Sequence, residues 1–193
     1  MREARVRRKT EETEVEVRIG LDGKGRSEIS TGIPFFDHML ELFAMHGLFD
    51  LELKAKGDLE VDFHHTVEDV GICLGEAVRK AIGEARGIRR FGNALVPMDE
   101  ALAQVALDIS GRPFLSYRVK AKGKIREFDL EVVEGFFKAL CDHAGLTLHI
   151  SLLQGRNLHH ICEAIFKAVA RALDEATQRD PRRDITPSTK GVI

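Results

Sequence analysis

The stretch "FHHTVEDVGICLGEAVRKAIGE", residues 63–84, decides the fold. From Thr66 onward, Val67, Val70, Leu74, Val78 and Ile82 recur at three- and four-residue intervals. That is the stripe of an amphipathic helix with one face in a core. Two histidines stand at its mouth. His64 and Glu68 are four apart and share a helical face, whereas His65 turns about 100° away. Imidazoles beside a carboxylate are costly to bury unless they bind something. The arrangement returns in "LHHICEA" at 158–164 as His159, His160 and Glu163, opening a helix striped by Ile161, Ile165, Phe166, Val169 and Leu173. One chain therefore carries the same helix and the same polar mouth twice.

Outward from these helices, other elements repeat as well. "TEVEVRI" (13–19) alternates as a half-buried strand does, "DGKG" (22–25) reads as a hairpin turn, and "RSEIST" as its return strand. "IPFFDHMLELFAMHG" (33–47) predicts a helix with Pro34 near its first position and Gly47 at its end. "LFDLELKAKGDLEVDF" (48–63) predicts two strands turning at Gly57. After a basic, glycine-bearing connection at 85–94, residues 101–119 predict strand, turn, strand. A helix follows over 128–145, then strand and turn over 146–158, then the closing helix over 159–176. The expected fold is α+β with internally duplicated half-domains. Each is a small mixed β-sheet with two helices on one face, and the helices pack between the two sheets. The halves are 1–84 and 85–176 within one integrated domain. The polar end 177–193, broken by Pro181 and Pro187, predicts a flexible tail.

Composition narrows the function. A net charge of −2 and a single tyrosine without tryptophan give no reason to expect nucleic acid or an anionic membrane as partner. No apolar run approaches a bilayer span, and the N-terminus lacks a signal-peptide stretch, so a cytoplasmic location is expected. Cys73, Cys141 and Cys162 lie far apart in apolar helical patterns and read as small core hydrophobes rather than a disulfide framework.

A His/Glu pair at i, i+4 grips a metal ion from one side. His64 with Glu68 and His159 with Glu163 are two such pairs, and His65 and His160 point elsewhere, each free to serve a different ion. The absence of a cysteine ligand favours a site with open positions over a closed structural zinc knot. Imidazole-rich sites bind several transition metals, so the residues do not name the ion.

The chain resembles the imidazoleglycerol-phosphate dehydratases of histidine biosynthesis nearly end to end. The resemblance is carried by "RKTEET", "GIPFFDHML", "HGLFDLELKAKGD", "DFHHTVEDVGICLG", "GIRRFG", "PMDEAL", "DISGRPFL", "LTLHI", "NLHHICEAIFKAVARAL" and "PSTKG". It implies a lyase that removes water from D-erythro-imidazole glycerol phosphate to give imidazole acetol phosphate, with two Mn2+ ions per active site. It also implies trimers assembling into a particle of twenty-four subunits, with active sites where subunits meet. The implied metal ligands are His38, His64, His65, Glu68, His159, His160 and Glu163. Glu12 is the implied acid/base group, with the ligand carboxylates Glu68 and Glu163 completing the catalytic set. Arg90, Arg112, Ser188 and Lys190 resemble phosphate contacts, and His46 falls on the phosphate side. Many relatives carry a histidine in a segment like "VEHFF" where this chain has Gly135. Glu134, His143, His149 or a water would then complete the second ion's ligand set. Asp99 and Glu100 have no assigned role.

The chemistry explains the metals. The proton at the carbon bearing the second hydroxyl is not acidic, so base catalysis alone fails. If both ring nitrogens coordinated metal, the ring would become imidazolate and could expel the adjacent hydroxyl, and the resulting diazafulvene would acidify the neighbouring proton for a general base. A dinuclear metallohydrolase is the rival enzyme class, although no HxHxDH-like run occurs. A noncatalytic metal-storage protein is the other, against which Arg90, Arg112 and Lys190 argue.

Overall fold

The computed structural model describes residues 2–193. The alternating segment forms β2 (Thr13–Gly20), with Val15, Val17 and Ile19 fully buried. It pairs antiparallel with β1 (Glu3–Lys9), a strand the sequence pattern does not announce because Val6 is its one buried residue. Charge pairs across the two strands take the place of apolar alternation: Arg5 with Glu16, and Arg7 and Lys9 with Glu14.

The chain continues through β3 (Ser27–Ser30), α1 (Pro34–Gly47) and β4 (Asp50–Gly57). β4 lies antiparallel on the free edge of β2, and β3 lies parallel to β4, so the sheet order is β1-β2-β4-β3. The expected hairpin at 22–25 is therefore wrong. The Asp50 carboxylate accepts the Lys24 and Arg26 N–H groups at 2.8 and 3.1 Å, which carries the loop past β2 to the start of β4. The strand expected over 58–63 is also wrong: these residues form a turn, and α2 (His64–Ile82) begins directly after it.

The second half follows the same plan. β5 (Phe91–Met98), β6 (Ala101–Ile109) and β7 (Phe114–Arg118) are followed by the short strands β8 (Lys124–Ile125) and β9 (Phe128–Asp129). Then come α3 (Glu131–Ala144), β10 (Leu146–Gln154) and α4 (Leu158–Thr177). The order is β5-β6-β10-β7 with β7 parallel to β10, matching the first sheet strand for strand. Part of the expected 85–94 connection is thus the start of β5.

The helices fill the space between the sheets. α2 packs on β1, β2 and β4 and against α3, while α4 packs on β5 and β6 and against α1. The two halves therefore exchange helix contacts across the seam. Gly71 and Gly75 permit the α2–α3 approach, since a Cβ on either would lie 2.7 or 2.8 Å from a carbonyl oxygen of α3. Phe36, Phe136 and Phe166, one from each of three helices, form a continuous buried aromatic cluster with ring centroids 5.3 and 5.5 Å apart. Cys73, Cys141 and Cys162 are free and buried, and burial pushes each thiol up to about 12. Among the described residues no helix is long and apolar enough to cross a membrane.

Residues 178–193 form no helix or extended strand, yet they are pinned rather than loose. The Asp180 N–H donates to the Gly87 carbonyl at 2.8 Å and the Gly87 N–H to Ile185 at 3.0 Å. Arg90 donates to the Pro187 carbonyl at 2.8 Å. The sequence pattern alone could not supply these contacts, because the partners of these polar groups lie about a hundred residues away along the chain.

Candidate metal centre and basic cavity

Both HHxxE motifs sit in the first turn of a helix, held by a short polar side chain just upstream. Asn157 Oδ1 accepts the His159 N–H at 2.9 Å, and Asp62 Oδ1 accepts the His64 N–H at 2.7 Å. One turn on, Glu163 Oε1 lies 2.9 Å from His159 Nε2 and Glu68 Oε2 lies 3.4 Å from His64 Nε2. The duplicated motif thus produces duplicated geometry.

At the second copy, packing adds a third group. α1 lies along α4 and brings His38 Nε2 to 3.4 Å from the same Glu163 Oε1. Donor atoms of His38, His159 and Glu163 all lie within 4.8 Å of one another. The other Glu163 oxygen receives Lys167 Nζ at 2.5 Å. Burial pushes the Glu163 carboxyl up, but Lys167, His159 and His38 outweigh it and hold the group below its ordinary range. A buried anionic oxygen facing two imidazoles, with its other oxygen already neutralised, suits a divalent cation.

The first copy lacks that third group. α1 and α3 occupy equivalent places, and the fifth residue of α1 is His38 whereas the fifth of α3 is Gly135. A Cβ at Gly135 would meet nothing within 4 Å. Among the described residues no further His, Cys, Asp or Glu gathers with His64 and Glu68. Of the alternatives, His143 faces Glu76 at 3.7 Å, His149 packs against Phe114 with centroids 5.6 Å apart, and Glu134 is exposed.

The second histidine of each motif meets a carboxylate through Nδ1: His65 with Asp58 at 3.0 Å, His160 with Glu100 at 2.7 Å. These hydrogen bonds raise both imidazoles above their ordinary pKa. The His160 bond, together with the Asn157 and Arg156 amides, holds Glu100 down to about 2. Glu12 lies 3.8 Å from His65 Nδ1, with its side chain 59% exposed, and groups with Asp58 and His65 within 4.8 Å. Asp99 Oδ2 lies 3.7 Å from His160 Nε2.

The basic residues gather elsewhere. A cavity of about 830 Å³ is lined by Arg90, Arg112, Arg182, Arg183, Ser188 and Lys190, among others. Arg90 is held by Asp108 through two hydrogen bonds of 2.7 and 3.2 Å, while Arg112 reaches only the Ser110 carbonyl at 3.4 Å. His46 does not line this cavity. Burial lowers its pKa, and the Lys167 and Arg171 charges on α4 lower it further. No residue lining the cavity belongs to either histidine cluster. The sequence reading missed Lys167, Asp58 and Asp108, and it named Glu100 without a role. Lys167 was accessible at i+4 from Glu163, whereas the other three are defined only by contacts across the fold.

A family model described as imidazoleglycerol-phosphate dehydratase matches residues 31–173. The protein of that name from Syntrophobacter fumaroxidans is 55% identical over 100% of this chain and 98% of its own length. The one from Acetivibrio thermocellus is 57% identical over 100% and 99%. The Staphylococcus aureus crystal structure is 41% identical with a TM-score of 0.84, covering 92% of this chain and 99% of that one. The Pyrococcus furiosus structure is 40% identical with a TM-score of 0.85, covering 97% and 100%. With matches spanning the whole chain and a metal-type donor cluster within it, the chain belongs to the imidazoleglycerol-phosphate dehydratase family, metal-dependent hydro-lyases of histidine biosynthesis.

Proposed function

We propose that the chain dehydrates D-erythro-imidazole glycerol phosphate to imidazole acetol phosphate on a dinuclear Mn2+ site assembled between subunits. The observation that carries this reading is the Glu163 oxygen shared by His38 and His159. His38, His159 and Glu163 would contribute to one ion, and His64, His65, Glu68 and His160 would supply the remaining donors. When bound, the cations supply the Lewis acidity that the imidazolate/diazafulvene route needs.

The chain's own residues do the rest. Glu12, exposed beside His65, would take the proton from the substrate carbon and return it to the enol. Arg112 has guanidinium hydrogens to spare for phosphate oxygens, and Ser188 and Lys190 from the pinned tail face the same cavity. Arg90, held in place by Asp108, adds positive charge to that wall. His46, whose protonated form burial and the nearby Lys167 and Arg171 charges disfavour, would offer a neutral ring there.

A single chain keeps its histidine clusters and its basic cavity apart, which supports a site completed by another copy. Exposed Phe91, Leu95, Phe114 and Leu153 on β5, β7 and β10 offer apolar surface for such contacts. The proposed assembly is trimers building to twenty-four subunits in the cytoplasm. Native mass and metal content, measured before and after chelation with dehydratase turnover followed alongside, test the reading. Chelation should abolish turnover and dissociate large particles, and full turnover in metal-free protein would refute it. Release of inorganic phosphate instead of imidazole acetol phosphate would favour a hydrolase.

A further inference from the structure

Apart from β8 and β9, the two halves repeat the same topology, so their differences locate what duplication has changed. Glu12 immediately precedes β2, and Glu100 immediately precedes β6. They are the same residue of the same hairpin turn. Yet Glu100 is fully engaged: one oxygen holds His160 Nδ1 at 2.7 Å, and the other accepts the Arg156 and Asn157 N–H groups at 3.0 and 2.7 Å. Glu12 makes neither contact and lies 3.8 Å from His65 Nδ1.

The difference traces to the residue after the strand that leads into each motif. Asp58 follows β4, whereas Gly155 follows β10. Asp58 Oδ2 holds His65 Nδ1 at 3.0 Å, which is the task Glu100 performs in the other half. Its Oδ1 is buried with no hydrogen-bond partner, so the carboxylate is spent on the imidazole alone.

We infer that Asp58 and Glu100 are positioning residues that hold His65 and His160 through Nδ1 and leave each Nε2 as the outward donor, and that Asp58, by taking this role, releases Glu12 for proton transfer. An imidazole that donates Nδ1–H to a carboxylate has its tautomer and ring plane fixed, which is worth 10–100-fold in metal affinity. Without Asp58, the nearest carboxylate for His65 is Glu12. The inference rests on the metal reading proposed above.

The test titrates metal-free full-length protein with Mn2+, reading free ion by electron paramagnetic resonance, and then measures turnover at saturating Mn2+. Asp58→Ala and Glu100→Gln should each weaken Mn2+ binding about 10–100-fold. At saturation Glu100→Gln should recover kcat to within a few fold. Asp58→Ala should stay at least about tenfold low in kcat with KM within about twofold, because Glu12 is then captured by His65. Asp58→Asn, which keeps an acceptor oxygen, should recover most of it and also guards against a folding artefact. Affinity unchanged in both variants would overturn the positioning role. An Asp58→Ala enzyme that recovers as Glu100→Gln does would overturn the release of Glu12. His65→Ala and His159→Ala are the control: if neither weakens Mn2+ binding, the metal reading fails and takes this inference with it.

Discussion

Asp108→Asn is the substitution whose consequences the structure specifies most fully. Asp108 sits on β6 and accepts two hydrogen bonds from the Arg90 guanidinium, at 2.7 and 3.2 Å. The two side chains are only 16% and 19% exposed. The third guanidinium nitrogen reaches across to the Pro187 carbonyl at 2.8 Å, fastening the tail that presents Ser188 and Lys190 to the basic cavity. Hydrogen bonds to charged groups contribute about 1.5–3 kcal/mol each. Asparagine keeps one acceptor but loses the charge, and the guanidinium gains access to water in the cavity, so the net loss is about 2 kcal/mol. At about 1.4 kcal/mol per tenfold, that loosens the tail about 30-fold. Trypsin cleavage after Lys190, beyond the Pro187 fastening, should accelerate by up to that order, and KM for substrate should rise with kcat changed less. Cleavage within twofold of the parent rate would show that the tail is held without Arg90. A lowered KM would show that Asp108 restrains Arg90 from phosphate instead of aiming it.

Other substitutions probe the site and the fold. Glu12→Gln should retain Mn2+ and substrate binding while losing at least about 100-fold in turnover, as expected for a general base; near-normal turnover would remove it from the mechanism. Gly135→His places an imidazole in open space at the position that corresponds to His38 and should tighten Mn2+ binding about tenfold in a titration. An unchanged titration would show that α3 does not face the His64–Glu68 pair. Arg2 hydrogen-bonds Asp22 and lowers its carboxyl from 3.8 to about 2. The unfolded chain therefore binds the proton first as pH falls, and the stabilisation is complete above pH 3.8 and lost toward pH 2. With Asp22 43% exposed, the effect is capped at about 1 kcal/mol, so Asp22→Asn should lower Tm by a few degrees at pH 7 and by nothing at pH 2.

Helices α1, α2 and α4 and the strand β2 were legible because each states its burial in its own period: Val15, Val17 and Ile19 alternate, and Val67, Val70, Leu74 and Val78 recur with the helical turn. Strand β1 was not legible, since Arg5, Arg7 and Lys9 are stabilised by glutamates on another strand rather than by a core. The 22–25 turn misled for a related reason. Its residues permit a hairpin, and the choice against one is made by Asp50, which no local pattern connects to Lys24.

By itself the sequence determined the α+β duplication and the two HHxxE motifs, because residues four apart on a helix meet whatever surrounds them. It also carried the family resemblance. Only the tertiary structure decided that His38 joins His159 and Glu163, that Gly135 leaves the other pair without a matching partner, and that Asp58 and Glu100 hold equivalent imidazoles from non-equivalent places. These are contacts between elements distant along the chain. Their distances follow from how helices and sheets pack, and periodicity within one element carries no information about its neighbour.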